Sequence, residues 1–194
     1  PTVEHADLNI SISHSRTILF MTTGNGEQGC DVEFVNHRSN DEWDDLLENK
    51  YSAVIKQAAE TDGDRDTACT RIWCVKESLI KSFGQVPLNI SIEKVIAKGI
   101  VFKALNPNGE YKLVLTVPVE FLPSNTAIVA MVVSLKIEEK SGEAKLSSGN
   151  QSSAIYNKDT RQFSDMFYTT FRDCRGFSGK THFTSFIDWM GGLR

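Results

Sequence analysis

The chain has 194 residues, of which 40% are hydrophobic and 24% are charged, a composition typical of a globular protein with one substantial core. The formal net charge is -4, and there is no basic cluster of the kind that neutralises a nucleic-acid backbone. We therefore expect no nucleic acid as a partner. A small phosphorylated ligand needs only a few local cations and is compatible with this charge.

The cysteines and the first residues favour a cytoplasmic location. Cysteines occupy positions 30, 69, 74 and 174, and no pair has the two-residue gap of a thiolate metal site or a redox motif. Residues 1–10 include Glu4 and Asp7 and no long apolar run, so neither a signal peptide nor a membrane span is expected. We expect free thiols in a reducing compartment and no membrane partner.

The N-terminal part predicts three short strands. Residues 9–13 alternate polar and apolar side chains, residues 17–23 form a short apolar run, and residues 30–35 follow after a glycine-rich turn. In the third strand Asp31 and Glu33 are two residues apart, which places both carboxylates on one face. The opposite face then carries Cys30, Val32 and Phe34.

Two main helices follow. Ser39 and Glu42 form a capping box, and the apolar residues behind them repeat at helical spacing, which predicts a helix from about 40 to 60. A second helix is predicted from about Asp66 to Gly84. In it Glu77 and Lys81 are four residues apart and share a face.

The pattern then changes to β. Runs near 90–95, 100–104, 111–117 and 127–137 predict an antiparallel sheet that covers the helices, so the expected fold class is α+β. Residues 138–160 are rich in Ser, Gly, Lys and Glu, the composition of an exposed linker. The predicted organisation is a domain over residues 1–137, a linker over 138–162, and a C-terminal extension or truncated neighbouring domain over 163–194.

Three acids are candidates for a metal site. Asp31, Glu33 and Glu77 come from two elements, and a hard cation such as Mg²⁺ that binds a diphosphate prefers oxygen ligands. An ordinary structural role explains the same spacing, with a solvated strand face at Asp31 and Glu33 and an ion pair between Glu77 and Lys81. Spacing alone leaves both interpretations open.

Two further motifs are candidates for ligand binding. His14 follows a strand, where an imidazole can bind a phosphate or simply cap a turn. Gly24, Gly26 and Gly29 spell G-x-G-x-x-G, but a dinucleotide site requires a helix to begin there, and a strand is predicted instead. We interpret these glycines as a hairpin turn.

The motifs together resemble a known family. The segments Ile10-Ser-Ile-Ser-His14-Ser15, Gly29-Cys-Asp31-Val-Glu33 and Trp73-Cys-Val-Lys76-Glu77-Ser-Leu-Ile-Lys81 resemble the three ordered signatures of the 4'-phosphopantetheinyl transferase superfamily, especially the type that activates polyketide and nonribosomal peptide synthases. The resemblance spans roughly residues 8–135. It implies the fold of that superfamily, with an antiparallel sheet packed on two main helices.

The resemblance also implies an activity and a set of roles. The activity is Mg²⁺-dependent transfer of phosphopantetheine from coenzyme A to a serine of an acyl carrier protein or carrier domain, releasing 3',5'-ADP. Asp31, Glu33 and Glu77 would hold Mg²⁺, and Glu77 is also the candidate base. His14 would contact the 3'-phosphate, Lys81 the diphosphate, and Lys76 a further phosphate. Trp73 matches too, and we interpret it as a packing residue.

The sequence departs from the family at both ends. Only thirteen residues precede His14, so the N-terminal half of two-lobed members is expected to be missing, trimmed or replaced by another subunit. Single-lobed carrier-protein synthases are trimers, which makes self-association a hypothesis here. Residues 167–194 loosely resemble the start of a hot-dog-fold thioesterase, which suggests a domain excised from a polyketide synthase. Its carrier then lies either in the same polypeptide or in a separate acyl carrier protein.

Two other functions remain open. The first is a non-catalytic docking or structural module of a polyketide synthase that keeps the transferase fold. The second places the function in the thioesterase-like tail, acting on acyl thioesters.

Overall fold

The computed structural model describes residues 8–16, 18–96, 99–120, 126–133, 135–140, 143–148, 151–157 and 162–169. The helices are α1 (Asn40–Leu47), α2 (Ser52–Asp62) and α3 (Arg65–Phe83). The strands are β1 (Leu8–Ser15), β2 (Ile18–Asn25), β3 (Cys30–Phe34), β4 (Asn89–Ile96), β5 (Gly99–Leu105), β6 (Tyr111–Glu120), β7 (Thr126–Val133), β8 (Leu135–Lys140), β9 (Glu143–Ser148), β10 (Gln151–Asn157) and β11 (Gln162–Thr169).

The main sheet has five strands in the order β3-β7-β6-β5-β4, and every neighbouring pair is antiparallel. One face of this sheet packs on α2 and α3 around a buried apolar cluster that includes Ile72, Val75, Leu79, Phe102 and Ile128. The predicted α+β class, with an antiparallel sheet against the helices, is confirmed. Because β3 is an edge strand, one side of its backbone faces away from the sheet.

The region predicted as one helix from 40 to 60 contains two. The capping box at Ser39 and Glu42 is present and starts α1, but Glu48 and Asn49 both adopt positive φ and end it. The single-helix prediction is wrong here because no glycine or proline marks the break, and left-handed backbone at Glu48 and Asn49 is uncommon for such residues. The second main helix is confirmed as α3, which Asp64 caps at the start and Gly84 at the end.

Helix α3 carries a buried cation on its sheet side. Arg71 is 1% exposed, pairs with Asp62 at the end of α2, and donates to the Thr116 hydroxyl on β6 at 2.9 Å. A buried guanidinium requires such partners because desolvation of an unpaired charge is costly. No helix in the described ranges is both long and apolar enough to cross a membrane.

A second sheet, in the order β1-β2-β10-β11, lies on the other side of β3. Ile18 and Phe20 of β2 pack there against Val32 and Val129 in a separate apolar cluster. The stretch 138–162, predicted as a linker, contains the end of β8 together with β9 and β10, because strand pairing uses backbone groups that polar sequences also carry. The domain boundaries stay predictions, and residues 170–194 lie outside the described part of the chain.

Gly29 allows β3 to approach α3 closely. A Cβ at this position would overlap the Ser78 carbonyl oxygen and stand 2.9 Å from Cβ of Ser82, so a residue larger than glycine does not fit without movement of α3. The Gly29 carbonyl accepts a hydrogen bond from Val132 N at 2.7 Å, which fixes the same point to β7. The predicted strand after the glycines is observed, and no helix begins there.

We predict that Gly29→Ala lowers the free energy of unfolding by about 2–3 kcal/mol, because the new methyl group overpacks the contact between β3 and α3. Urea unfolding followed by circular dichroism measures the change. Gly26→Asn is the matched control: nothing lies within 4 Å of its Cβ position, and asparagine tolerates the positive φ there. The control should lose less than about 1 kcal/mol, and equal losses in both variants would contradict the close-approach argument.

Candidate functional site

The carboxylate of Asp31 is the centre of the candidate site. Asp31 is 6% exposed, and its Oδ1 accepts hydrogen bonds from Ser13 Oγ at 2.6 Å and Lys81 Nζ at 2.9 Å. Strand alternation explains the orientation, since the neighbouring Val32 enters the apolar cluster on the β2 side. Three elements, β1, β3 and α3, therefore meet at one carboxylate.

Lys81 joins α3 to β3. Besides Asp31, its ammonium donates to the Cys30 carbonyl oxygen at 3.0 Å. The spacing of Glu77 and Lys81 is equally compatible with an ion pair within the helix, but the salt bridge found for Lys81 is with Asp31. The lysine side chain remains about a third exposed, so a ligand has access to it.

Glu33 and Glu77 complete an acidic cluster with Asp31. Burial raises the pKa of Glu33, the Ser15 hydrogen bond opposes this, and the charge of Asp31 raises it further. Burial likewise raises the pKa of Glu77, Asp31 adds to the effect, and Lys81 opposes it. Asp31 thus repels both glutamates, and a bound cation would relieve that repulsion.

The donor chemistry of this cluster suits Mg²⁺, since a hard cation takes carboxylate oxygens. In their present positions, however, no three His, Cys, Asp or Glu side chains of the described residues stand close enough to hold a metal ion. The Lys81 ammonium neutralises Asp31 in this arrangement.

Lys76 faces a different direction from the acidic cluster. Its ammonium is buried and donates to the Leu46 carbonyl oxygen at 3.2 Å and to the Glu48 carboxylate at 2.9 Å. It thereby ties α3 to the C-terminal end of α1, where backbone carbonyls lack helical partners. It also lies 5.5 Å from the centre of the Trp73 ring. A phosphate contact for Lys76 stays a prediction.

His14 lies on the exposed face of β1. Because side chains alternate along a strand, His14 points away from the side on which Ser13 reaches Asp31. The exposed face also carries Ile10 and Ile12, which are 62% and 54% exposed. The structure therefore brings Asp31, Glu33, Glu77 and Lys81 together and leaves His14 on the other side of β1.

The sequence reading missed a row of serines on β1. Ser11, Ser13 and Ser15 are all buried and face β3. Cys30 N donates to Ser11 Oγ at 3.0 Å, and Val32 N donates to Ser13 Oγ at 3.3 Å, so hydroxyl groups satisfy the outward N–H groups of an edge strand. The period-two repeat of serine was the available signal, since small polar side chains at strand spacing predict one polar face.

Two arginines and a pocket border the acidic cluster, and sequence reading singled out neither. Burial raises the pKa of Glu33, and the charges of Arg38 and Arg16 oppose this rise. The Arg16 guanidinium also lies 4.6 Å from the Phe34 ring centre. The pocket has a volume of about 240 Å³. It is lined by Glu33, Phe34, Arg38, Trp43, Leu46 and Trp73.

Comparison with known families agrees with this geometry. The family model of the 4'-phosphopantetheinyl transferase superfamily matches residues 27–93, a segment that contains Asp31, Glu33, Glu77 and Lys81 but not His14. No curated protein and no solved structure matches the chain. Residues 27–93, which carry the acidic cluster and the helix beneath it, are therefore similar to the 4'-phosphopantetheinyl transferase superfamily.

Proposed function

We propose that the chain transfers the 4'-phosphopantetheine group of coenzyme A to a serine of an acyl carrier protein or carrier domain, with Mg²⁺ as the required metal and 3',5'-ADP as the second product. The observation that carries this proposal is the meeting of Asp31, Glu77 and Lys81 from two elements within the segment that matches a transferase superfamily. The buried free thiols Cys30, Cys69 and Cys74 suit a reducing, cytoplasmic location.

Each group in the cluster has a chemical role in this reaction. The carrier serine oxygen attacks the β-phosphorus of coenzyme A, and the bond from that phosphorus to the bridging oxygen breaks as 3',5'-ADP leaves. Glu77, whose pKa is raised by burial, receives the serine proton. Lys81 offsets the negative charge that develops on the leaving group.

Asp31, Glu33 and Glu77 would hold Mg²⁺, which when bound supplies charge neutralisation at the diphosphate. Lys81 is placed to exchange partners during this process. In the structure it neutralises Asp31, and a diphosphate oxygen is an equivalent anionic acceptor. The same lysine thus neutralises Asp31 in the structure and contacts the substrate in the proposed reaction.

The salt bridge between Lys81 and Asp31 also supports a second candidate function. This salt bridge joins β3 to α3, a structural role that suits a docking or structural module that keeps the fold without the chemistry. Such a module would show no metal-dependent affinity for coenzyme A. Self-association, which the family's single-lobed members use, stays a prediction.

The first experiment is the intact mass of an apo acyl carrier protein after incubation with this chain, coenzyme A and Mg²⁺. We expect a mass gain of one phosphopantetheine, and EDTA should prevent it because the carboxylate cluster cannot hold the diphosphate without a cation. Calorimetry of coenzyme A binding, with and without Mg²⁺, accompanies the assay. No mass gain on several carriers, with no metal-dependent binding, would favour the docking module.

Variants of the acids test their assignment. Asp31→Asn and Glu77→Gln should each reduce transfer by at least about 100-fold, since each removes a charged ligand or base from the reacting centre. Melting curves should show that both variants still fold. Asp44→Asn is the matched control, because Asp44 belongs to an exposed ion pair on α1. Near-normal transfer by folded Asp31→Asn would exclude this carboxylate from the site.

Lys76→Met separates a structural role from a phosphate contact. We expect the free energy of unfolding to fall by about 1 kcal/mol, because the hydrogen bonds to Leu46 and Glu48 are lost, while KM for coenzyme A stays within about twofold. Lys56→Met, at an exposed position on α2, should change neither quantity. A rise in KM with unchanged stability would instead assign Lys76 to a phosphate.

A further inference from the structure

The Ser13 hydroxyl makes two hydrogen bonds in opposite senses. The hydroxyl oxygen accepts the Val32 N–H at 3.3 Å, and the hydroxyl O–H donates to Asp31 Oδ1 at 2.6 Å. The residue is 6% exposed, so water does not compete freely for either bond. Ser13 therefore fixes both the backbone and the side chain of the strand that carries Asp31.

Lys81 reaches the same carboxylate oxygen from the opposite element. Two donors, one from β1 and one from α3, thus set the orientation of the Asp31 carboxylate. If Lys81 moves to a phosphate when substrate binds, the bond from Ser13 remains. A short hydrogen bond to an ionised oxygen is among the stronger kinds, so this contact can hold the carboxylate by itself.

Ser11 accepts a backbone hydrogen bond from β3 as Ser13 does, but it does not donate to the Asp31 carboxylate. It lies two residues earlier on β1, is also buried, and its hydroxyl accepts the Cys30 N–H at 3.0 Å. Its loss removes an equivalent backbone cap from β3. The pair Ser11 and Ser13 therefore separates support of the strand from support of Asp31.

We infer that Ser13 is a positioning residue, whose hydroxyl holds the Asp31 carboxylate on the α3 side of β3, where the proposed function requires it as a ligand of a divalent cation. This inference rests on the proposed function, because it concerns the metal of the same site. Hydrogen-bond partners of metal ligands typically change metal affinity or activity by about 10- to 100-fold when removed.

The test compares Ser13→Ala, Ser13→Thr and Ser11→Ala with the unaltered chain. The readout is the rise in melting temperature as Mg²⁺ is titrated at saturating coenzyme A, with kcat measured in parallel. Ser13→Ala should raise the Mg²⁺ concentration for half-maximal stabilisation by about 10- to 100-fold. Ser13→Thr keeps the hydroxyl and should restore it to within about threefold, and Ser11→Ala should stay within about twofold.

The possible outcomes distinguish a failure of the Ser13 role from a failure of the proposed function. If the unaltered chain responds to Mg²⁺ and Ser13→Ala titrates like Ser11→Ala, the positioning role is overturned while the proposed function stands. If the unaltered chain shows neither Mg²⁺-dependent stabilisation nor transfer, both are overturned. Should Ser13→Ala fail to fold, Ser13→Cys provides a weak donor of similar size, and a shift of about threefold or more supports the role, whereas no shift contradicts it.

Discussion

The close contact between β3 and α3 at Gly29 determines where every charge of the site lies. With no side chain at this point, the strand comes near enough to the helix for Lys81 to reach both the Cys30 carbonyl and the Asp31 carboxylate. The same approach places Glu77 within the electrostatic influence of Asp31. A larger residue would separate the two elements, and the carboxylates would no longer meet. Gly29 therefore controls the site by setting the distance between β3 and α3.

The close approach of β3 and α3 brings negative charges together, and the structure offsets this electrostatic cost in two ways. Burial, together with the negative charge of Asp31, raises the pKa values of Glu33 and Glu77. Lys81 neutralises part of this charge through its salt bridge with Asp31. The serine row of β1 supplies hydrogen-bond donors and acceptors that contribute no net charge. The cluster is thus stabilised by contacts within the chain itself.

Local sequence signals predicted where helices and strands form better than they predicted where a helix ends early or which side chains pair. The caps at Ser39 and Gly84 and the period-two pattern of the strands are set by neighbouring residues, and these features were predictable. Helix α1 ends because Glu48 and Asn49 adopt left-handed backbone, and these residues do not predict that conformation as strongly as a glycine would. The sequence also could not predict the partner of Lys81. Helical spacing favours Glu77, whereas the observed contact with Asp31 depends on the distance between α3 and β3. Lys76 was missed as a link between helices for the same reason, since its partners at Leu46 and Glu48 lie about thirty residues away in sequence.

Strand β1 divides the proposed contacts between its two faces. Ser13 supports the acidic cluster, whereas His14 lies on the exposed face beside Ile12. In the proposed reaction one coenzyme A molecule meets both, and its 3'-phosphate and diphosphate are attached to the same ribose. If both contacts form, the nucleotide crosses β1, and the position of that strand sets the distance between the two phosphate contacts. Because the serine row joins β1 to β3, the bonds that hold Asp31 also fix His14 relative to the acidic cluster, so in the proposed reaction the two phosphate contacts depend on one shared interface.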